Sequence, residues 1–515
     1  MSLPARHRLL YCLLFLLLVQ AVRGQATDDP VFDRKMQLPT MRGTVYELLR
    51  KVFDQTEYLF IYDSRMVDSN KRASIRKGTY SLRDAIHVIT GLAQIEMKLI
   101  DRHVLLQLPE AKPETIAATP ELLPQPTPQA IEGKLLDRLS DEPVEYGSIN
   151  ISGAGIGTVA NLNGEFKLTI PDSLADRRLI LSHVGYQSES YAIHDLTGGH
   201  IIFTLDPKVI PLQEVVVRLY NPVQAIDQMM EKRKDNYPGG PVNLVTFYRE
   251  TVLHNNRLVN LSEGVIDVHK RPFFGDFRND QMRLLKMRNI KSTATRDTLV
   301  TKVMSGLDAI LQLDIISHPP DFLDTSNGAF NYYFSDITEI NGRQIYVFSF
   351  EPKKLVTEPT YQGKLYIDAE NYALVKAEFE IGEKYIRQAA GMFVQKQSPR
   401  LIITPRRAAY HVTYRQYDGK YYPNYISGEL EFRIRIKRKM FSGTTSAIRF
   451  EMVTGRIDTE NVRRFTRREQ LPTRNIFSET RFDYDASYWE HFNIILPDEQ
   501  LQEAIHKITS IIEEY

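Results

Sequence analysis

Cysteine is almost absent: the one that occurs, Cys12, lies in an apolar run near the N-terminus. Arg6, His7 and Arg8 precede that run at 9–19, and Val22 and Gly24 stand just before Gln25. A basic stretch, a short apolar core and small residues make a secretory signal over 1–24, with cleavage expected after Gly24. The run falls short of the ~20 residues a spanning helix needs. The mature chain then carries no cysteine, which excludes disulfides, zinc–thiolate sites and a cysteine nucleophile. Net charge is also missing, at +1 over 515 residues. A dedicated nucleic-acid binder carries a clear basic excess, so no nucleic-acid partner is expected. No later stretch reaches the length of a membrane-spanning helix. Export without a helical anchor or disulfides places the protein in the periplasm or on the periplasmic face of the outer membrane.

Catalytic patterns are equally scarce. None of the twelve histidines stands in HExxH, HxxH or HxxE, the spacings that put two ligands on one helical face. Neither GxxxxGK[ST] nor GxSxG occurs. Gly153-Ala154-Gly155-Ile156-Gly157 looks like a phosphate loop, but no helix pattern follows it, so a flexible sandwich loop is expected. Asp141-Glu142 and Glu513-Glu514 read as solvated charge. No acid, base and nucleophile can be assembled, so no catalytic, cofactor or metal residues are assigned and the chain is read as a non-enzyme.

What is present is a succession of domains, since 515 residues exceed one core. The fold class is multidomain and mainly β. A small α+β domain (37–108) is followed by a Pro-rich linker (109–130), where Pro109, Pro113, Pro120, Pro124, Pro126 and Pro128 favour an extended spacer. A β-sandwich (131–217), a connecting helix (218–240) and a large antiparallel β domain with a C-terminal helix (241–515) complete the chain. In the first domain Val45, Leu48, Leu49, Val52 and Phe53 repeat at helical spacing, and Ser81 with Asp84 opens a second helix that Gly91 closes. Strands are expected at 59–62, 73–75, 95–100 and 103–107. Gly78-Thr79-Tyr80-Ser81-Leu82-Arg83-Asp84-Ala85 and the closing hairpin resemble the secretin and TonB short N-terminal domain. That resemblance implies a periplasmic unit contacting an anti-sigma regulator or another envelope component; a generic α+β unit shares the same order of elements.

The middle domain carries Gly133-Lys134-Leu135-Leu136-Asp137, Pro143-Val144, Asn161-Leu162-Asn163-Gly164-Glu165-Phe166, His183-Val184-Gly185-Tyr186 and the ending Glu214-Val215-Val216-Val217. These resemble the carboxypeptidase-regulatory-like domain that heads many outer-membrane proteins of Bacteroidetes-type bacteria. The resemblance implies an accessory module without chemistry of its own. Asn163 and Gly164 are the structural turn, both tolerating positive φ.

Beyond residue 240, strands are expected at 243–253, 257–269, 330–340, 344–350, 362–367, 373–381, 408–417, 427–439 and 447–457, with a helix at 307–316 and another from Asp498. Asn341-Gly342 and Asp418-Gly419 supply tight turns, so an antiparallel meander follows. The hairpin Gly363-Lys364-Leu365-Tyr366-Ile367-Asp368 to 373–379 resembles strands of periplasmic lipoprotein-carrier folds, which are open half-barrels. Arg433, Arg435 and Lys437 alternate with Phe432, Ile434 and Ile436, which puts three cations on one strand face, a candidate surface for an anionic partner; a solvated sheet face is the plainer reading. Tyr332-Tyr333-Phe334 and Tyr421-Tyr422 suit either a lipid or glycan cleft or core packing.

The function expected is that of an interaction, scaffolding or ligand-binding component of the envelope, with an envelope protein partner and a lipid or glycolipid as the second class of ligand. Oligomeric state stays open. The alternatives are a truncated TonB-dependent receptor-like component, including a small barrel of eight to ten strands, and an amphiphile or lipid carrier with an aromatic-lined concave sheet.

Overall fold

The computed structural model describes residues 30–53, 56, 59–62, 71–92, 95–100, 103–107, 129–196, 200–208, 221–273, 280–291, 301–303, 306–354, 356, 358–397, 400–437, 443–474, 476–480 and 492–513. The signal segment, nearly all of the Pro-rich linker, the Glu214–Val217 ending and the turn at Asp101-Arg102 lie outside the described residues. The chain divides into two compact units, residues 1–123 and 124–515.

In the first unit β1 (Lys35–Leu38), β2 (Met41–Thr44), α1 (Val45–Phe53), β3 (Leu59–Tyr62), β4 (Arg72–Ile75), β5 (Gly78–Ser81), α2 (Leu82–Thr90), β6 (Glu96–Ile100) and β7 (His103–Gln107) follow in order. Ser81 Oγ accepts from the Asp84 amide at 3.0 Å and Gly91 takes φ 72°, so both ends of α2 are capped as their residue types dictate. Val45, Leu48, Leu49 and Val52 meet Leu82, Ala85, Ile86 and Ile89 in one core. Phe32 joins that core, so the unit starts upstream of residue 37.

The second unit opens with the sandwich: β8 (Gln129–Asp137), β9 (Ser148–Ile151), β10 (Gly157–Val159), β11 (Glu165–Ile170), β12 (Arg178–Ser182), β13 (Glu189–Ala192) and β14 (His200–Leu205). One sheet runs β10-β9-β12-β13 and the other β11-β8-β14. Alternating Leu135, Phe166, Leu168, Leu179, Leu181, Phe203 and Leu205 fill the space between them. β8 and β14 are parallel neighbours, paired from Glu132–His200 to Asp137–Leu205.

The expected connecting helix is α3 (Pro222–Glu231), capped by Asn221, followed by the single turn α4 (Arg233–Asn236). It does more than connect. Ala225, Ile226, Met229 and Tyr237 are buried in the main core.

Ten strands then form one antiparallel sheet: β15 (Val242–His254), β16 (Arg257–Lys270), β17 (Gln281–Lys291), β18 (Thr301–Val303), α5 (Gly306–Gln312), β19 (Phe330–Ile340), β20 (Arg343–Pro352), β21 (Tyr361–Asp368), β22 (Leu374–Ile381), α6 (Glu383–Ile386), α7 (Ala390–Phe393), β23 (Val394–Gln397), β24 (Leu401–Tyr417), β25 (Lys420–Ile436), β26 (Gly443–Asp458) and α8 (Glu499–Glu513) follow in chain order, with β18 and β23 paired separately. The order β17-β16-β15-β26-β25-β24-β22-β21-β20-β19 is open at β17 and β19, so among the described residues the sheet is not closed into a barrel. No helix among the described residues is long and apolar enough to cross a membrane. Asn341 and Gly342, at φ 51° and 73°, and Asp418 and Gly419, at 47° and 72°, make the tight turns their residue types favour.

The first face of this sheet is sealed. Phe348, Phe350, Leu365, Phe379, Ile426, Leu430 and Phe432 pack against Ile226, Leu307, Ile310, Ile316 and Phe322. The expected aromatic-lined cleft is therefore filled core at Tyr421 and Tyr422, which are buried, while Tyr332 is half-buried and donates to the Phe322 carbonyl at 3.0 Å. Strand-favouring aromatics were here spent on packing.

Candidate functional site

The second face carries the charges, because period-two alternation sends the partners of each core residue to the opposite side. Over it stand the lip of the sandwich (Glu145, Tyr146, Asn161, Leu162) and the segment leading into α8 (Ile495, Leu496, Asp498). Between them lies a cavity of about 1010 Å³. Seven acidic side chains line it, Glu145, Glu351, Glu378, Glu380, Glu429, Glu451 and Asp498, against four basic ones, Arg249, Lys364, Arg407 and Arg449. Leu253, Leu258, Leu501 and Ala504 give it one apolar wall. Tyr333, 48% exposed, adds its ring, and its hydroxyl donates to Glu351 at 3.1 Å.

The floor charges are organised in small networks. Glu429 accepts from Arg449 Nε at 2.7 Å and lies 3.5 Å from Arg407 Nη1. Glu378 is 2.7 Å from Lys376 Nζ and accepts from the Tyr366 hydroxyl at 3.0 Å. Burial would raise the Glu378 carboxyl, but the Lys376 charge and these hydrogen bonds outweigh it and hold the group below its ordinary range. Among the described residues no cluster of three His, Cys, Asp or Glu side chains is arranged to hold a metal.

One buried arginine fixes the roof. Arg249 donates to Glu263 at 2.8 Å, to Glu451 at 2.9 Å and to the Ile495 carbonyl at 2.6 Å. Glu263 is shared with Arg288, and Tyr425 donates to Glu451 at 3.0 Å. Tyr146 stacks on Tyr425 with centroids 4.6 Å apart. The sandwich grips the same segment: Thr158 Oγ1 donates to the Ile494 carbonyl at 3.2 Å, and Asn493 Oδ1 accepts from the Thr169 amide at 2.7 Å.

Arg433, Arg435 and Lys437 are exposed at the far end of β25, with Phe432 and Ile434 buried beneath. They share the face of Glu429 and Glu431 but do not line the cavity, so the face runs from acidic to basic along one strand. The Asn163-Gly164 turn differs from the paired positive-φ form. Gly164 alone is left-handed, at φ 76°, and its amide donates to the Asn161 carbonyl at 3.0 Å. Asn163 uses its side chain elsewhere, accepting from the Glu499 amide at 2.9 Å at the start of α8. A Cβ on Gly164 would stand 2.4 Å from the Leu135 carbonyl oxygen. Gly164→Val is expected to cost on the order of 1–3 kcal/mol, read as a lower melting midpoint of the full chain; an unchanged midpoint would contradict the assignment.

The glycine-rich loop is not a free loop. Gly155 accepts from the Ile457 amide at 2.8 Å, and a Cβ on it would lie 2.5 Å from the Ile457 carbonyl oxygen, so it docks the sandwich on β26. Sequence reasoning missed Arg249, Glu451, Tyr146 and Arg415. The alternation of strand residues pointed to a polar face, but nothing local marked which polar residues another domain would cover.

A search of curated proteins finds no match to the chain. Among solved structures it is similar to an outer-membrane lipoprotein-sorting protein domain from Vibrio parahaemolyticus, at 12% identity over 47% of this chain and 95% of that one, TM-score 0.22. It is similar also to a LolA superfamily protein from Nitrosomonas europaea, at 12% identity over 46% and 94%, TM-score 0.17. A membrane-associated protein of unknown function from Bacteroides fragilis aligns at 9% identity over 64% and 99%, TM-score 0.13. At these scores the likenesses carry no functional weight. Residues 131–217, which cover all but the first two residues of the seven-strand sandwich, match the family model of the CarboxypepD_reg-like domain.

Proposed function

We propose that this chain is an exported, non-enzymatic component of the cell envelope that holds an extended segment of a partner protein in the charged cavity of its C-terminal domain. The carrying observation is the chemistry of that cavity: about 1010 Å³, seven acids against four bases, and one apolar wall. Alternating charges on a strand surface suit a polypeptide whose side chains alternate likewise, and the acidic excess favours a basic one. The open sheet supports a reading without a membrane barrel. The signal-like N-terminus supports export, and the first unit, with its likeness to the secretin and TonB short N-terminal domain, supports a second envelope contact. The wall of Leu253, Leu258, Leu501 and Ala504 favours one other reading, an amphiphile lodged with its chain against α8.

The test is a photo-crosslinking residue at Lys364, inside the cavity, with Ile202, 64% exposed on β14, as control. In the producing bacterium, polypeptide adducts are expected at Lys364 and not at Ile202, and Glu380→Lys, which cuts the acidic excess, should diminish them. Adducts of lipid mass would favour the amphiphile instead. Equal labelling at both positions would sink the proposal.

A further inference from the structure

We infer that the junction between the sandwich and the sheet is a second binding site, for a small hydroxylated organic anion such as a sugar acid or sugar phosphate. The sandwich meets the sheet at separate points. The Gly155 loop bonds to β26, and Gly185, at φ 93°, donates its amide to the Glu339 carbonyl at 3.0 Å. Ser188 Oγ donates to Asn341 Oδ1 at 2.8 Å, and Asn424 Nδ2 to Ser148 Oγ at 3.1 Å. These contacts enclose a cavity of about 490 Å³, large enough for an organic molecule rather than a lone ion.

Its charge is unbalanced in one place. Arg415, 8% exposed, donates to Asn150 Oδ1 and to the carbonyls of Gly155 and Thr454 at 3.0 and 3.2 Å. All three acceptors are neutral, and Nε has no partner. The chain treats its other deeply buried cations differently: Arg249 faces Glu263 and Glu451, and Lys270 lies 3.2 Å from Asp280 and 2.6 Å from Asp314. A buried charge without a counter-charge is costly, and a cavity beside it is where a counter-ion would enter. Two acids line the same cavity, Asp368 and Asp418: the first is paired with Arg343, and the second makes no ion pair with Arg415.

The remaining walls ask for hydroxyls. Asn424, 3% exposed, leaves Oδ1 without a partner, and Thr413 Oγ1, His183 Nδ1 and His411 Nε2 are likewise buried and unpaired. Acceptors and adaptable donors around one fixed cation match a carboxylate or phosphate carried on a hydroxylated frame. Water could satisfy the neutral atoms but leaves the Arg415 charge uncompensated.

The experiment is titration calorimetry on the full mature chain at low salt and pH 7. Glucuronate, glucose 6-phosphate, glucose and inorganic phosphate are the probes. Saturable binding of glucuronate or glucose 6-phosphate is expected, and which of the two binds distinguishes a carboxylate from a phosphate source; glucose should bind at least about tenfold more weakly. Asn424→Asp, which sets a carboxylate in the same cavity at unchanged size, should weaken binding about tenfold or more, as should Arg415→Gln. If Arg415→Gln fails to fold, Asn424→Asp with a wild-type circular dichroism spectrum carries the test. Absence of saturation by any probe would reduce the cavity to a water site and overturn the inference. Glucose binding as tightly as the acids, or full affinity in Asn424→Asp, would overturn it as well. Crosslinking from Lys364 reports on the other cavity, so the two proposals fail separately.

Discussion

Arg249→Leu should lower the stability of the second unit by about 3–5 kcal/mol, the usual cost of removing one partner from a buried ion pair. The substitution leaves Glu263, whose side chain is 1% exposed, with Arg288 alone, and takes from Glu451 its cation. It also leaves the Ile495 carbonyl without the donor at 2.6 Å. The loss is therefore coupled to a place: backbone amides of 492–498 should exchange faster with deuterium, while those of α2 in the first unit should not. Replacing Arg249 and Glu263 together by apolar residues should cost less than Arg249→Leu alone, because Arg288, 24% exposed, can turn to water. An unaltered urea midpoint with unaltered exchange at 492–498 would show that the cluster does not hold the roof.

Local patterns were the legible part of this fold. β19 was readable to the residue, since aromatic and β-branched residues run to a turn-forming Asn-Gly pair. Ser81, Asp84 and Gly91 announced both ends of α2 for equally local reasons. β25 was harder. It begins at Lys420, seven residues before its expected start, and runs through Pro423, which has no amide to give to the ladder. β17 was missed because Gln281–Lys291 mixes Met and Leu with Arg, Lys and Asn, and Ile290 is its one β-branched residue of the kind that marks strands. The sites were not legible at all. Arg249 and Arg415 are single cations among 65 basic residues, and their burial comes from contacts 202 and 265 positions away in sequence. The basic row Arg433, Arg435 and Lys437 was legible as geometry, because period two alone sets it on one face.

Acid should loosen the same unit in a narrow window. Burial first, and the Lys376 charge second, push His183 down to about 4 and His411 to about 3 from the ordinary 6.5. Glu378 acts the other way on both rings, and His411 also feels His183; the rings of Tyr146 and Tyr425 pack edge-on against His411. Unfolded, each imidazole takes up a proton below pH 6.5; folded, each refuses it until far lower. Stability is thus complete above pH 6.5 and falls as the pH drops toward 4 and 3, by about 2 kcal/mol per histidine at pH 5. Glu378, whose folded value is depressed, contributes stability that is lost as the pH falls through its unfolded 4.5, below the pH 5 at which the comparison stops. Urea midpoints at pH 7.5 and pH 5 should differ clearly for the wild type and by less for His183→Gln or His411→Gln, the remainder including His254, His269 and His318, which burial also lowers. Equal differences in all three proteins would remove the histidines from the account.

The parallel pairing of β8 with β14 has a mechanical side. Tension reaching the sandwich from upstream enters at Gln129, the first residue of β8, and leaves beyond Leu205, the last of β14. Two parallel neighbours pulled from opposite ends slide along each other, so the backbone bonds from Glu132–His200 to Asp137–Leu205 are strained together instead of opening one at a time. Forced opening is governed by the unfolding rate, which such shear keeps slow. A partner tugging on the chain upstream of Gln129 would thus meet this resistance before it could unravel the module that roofs both cavities.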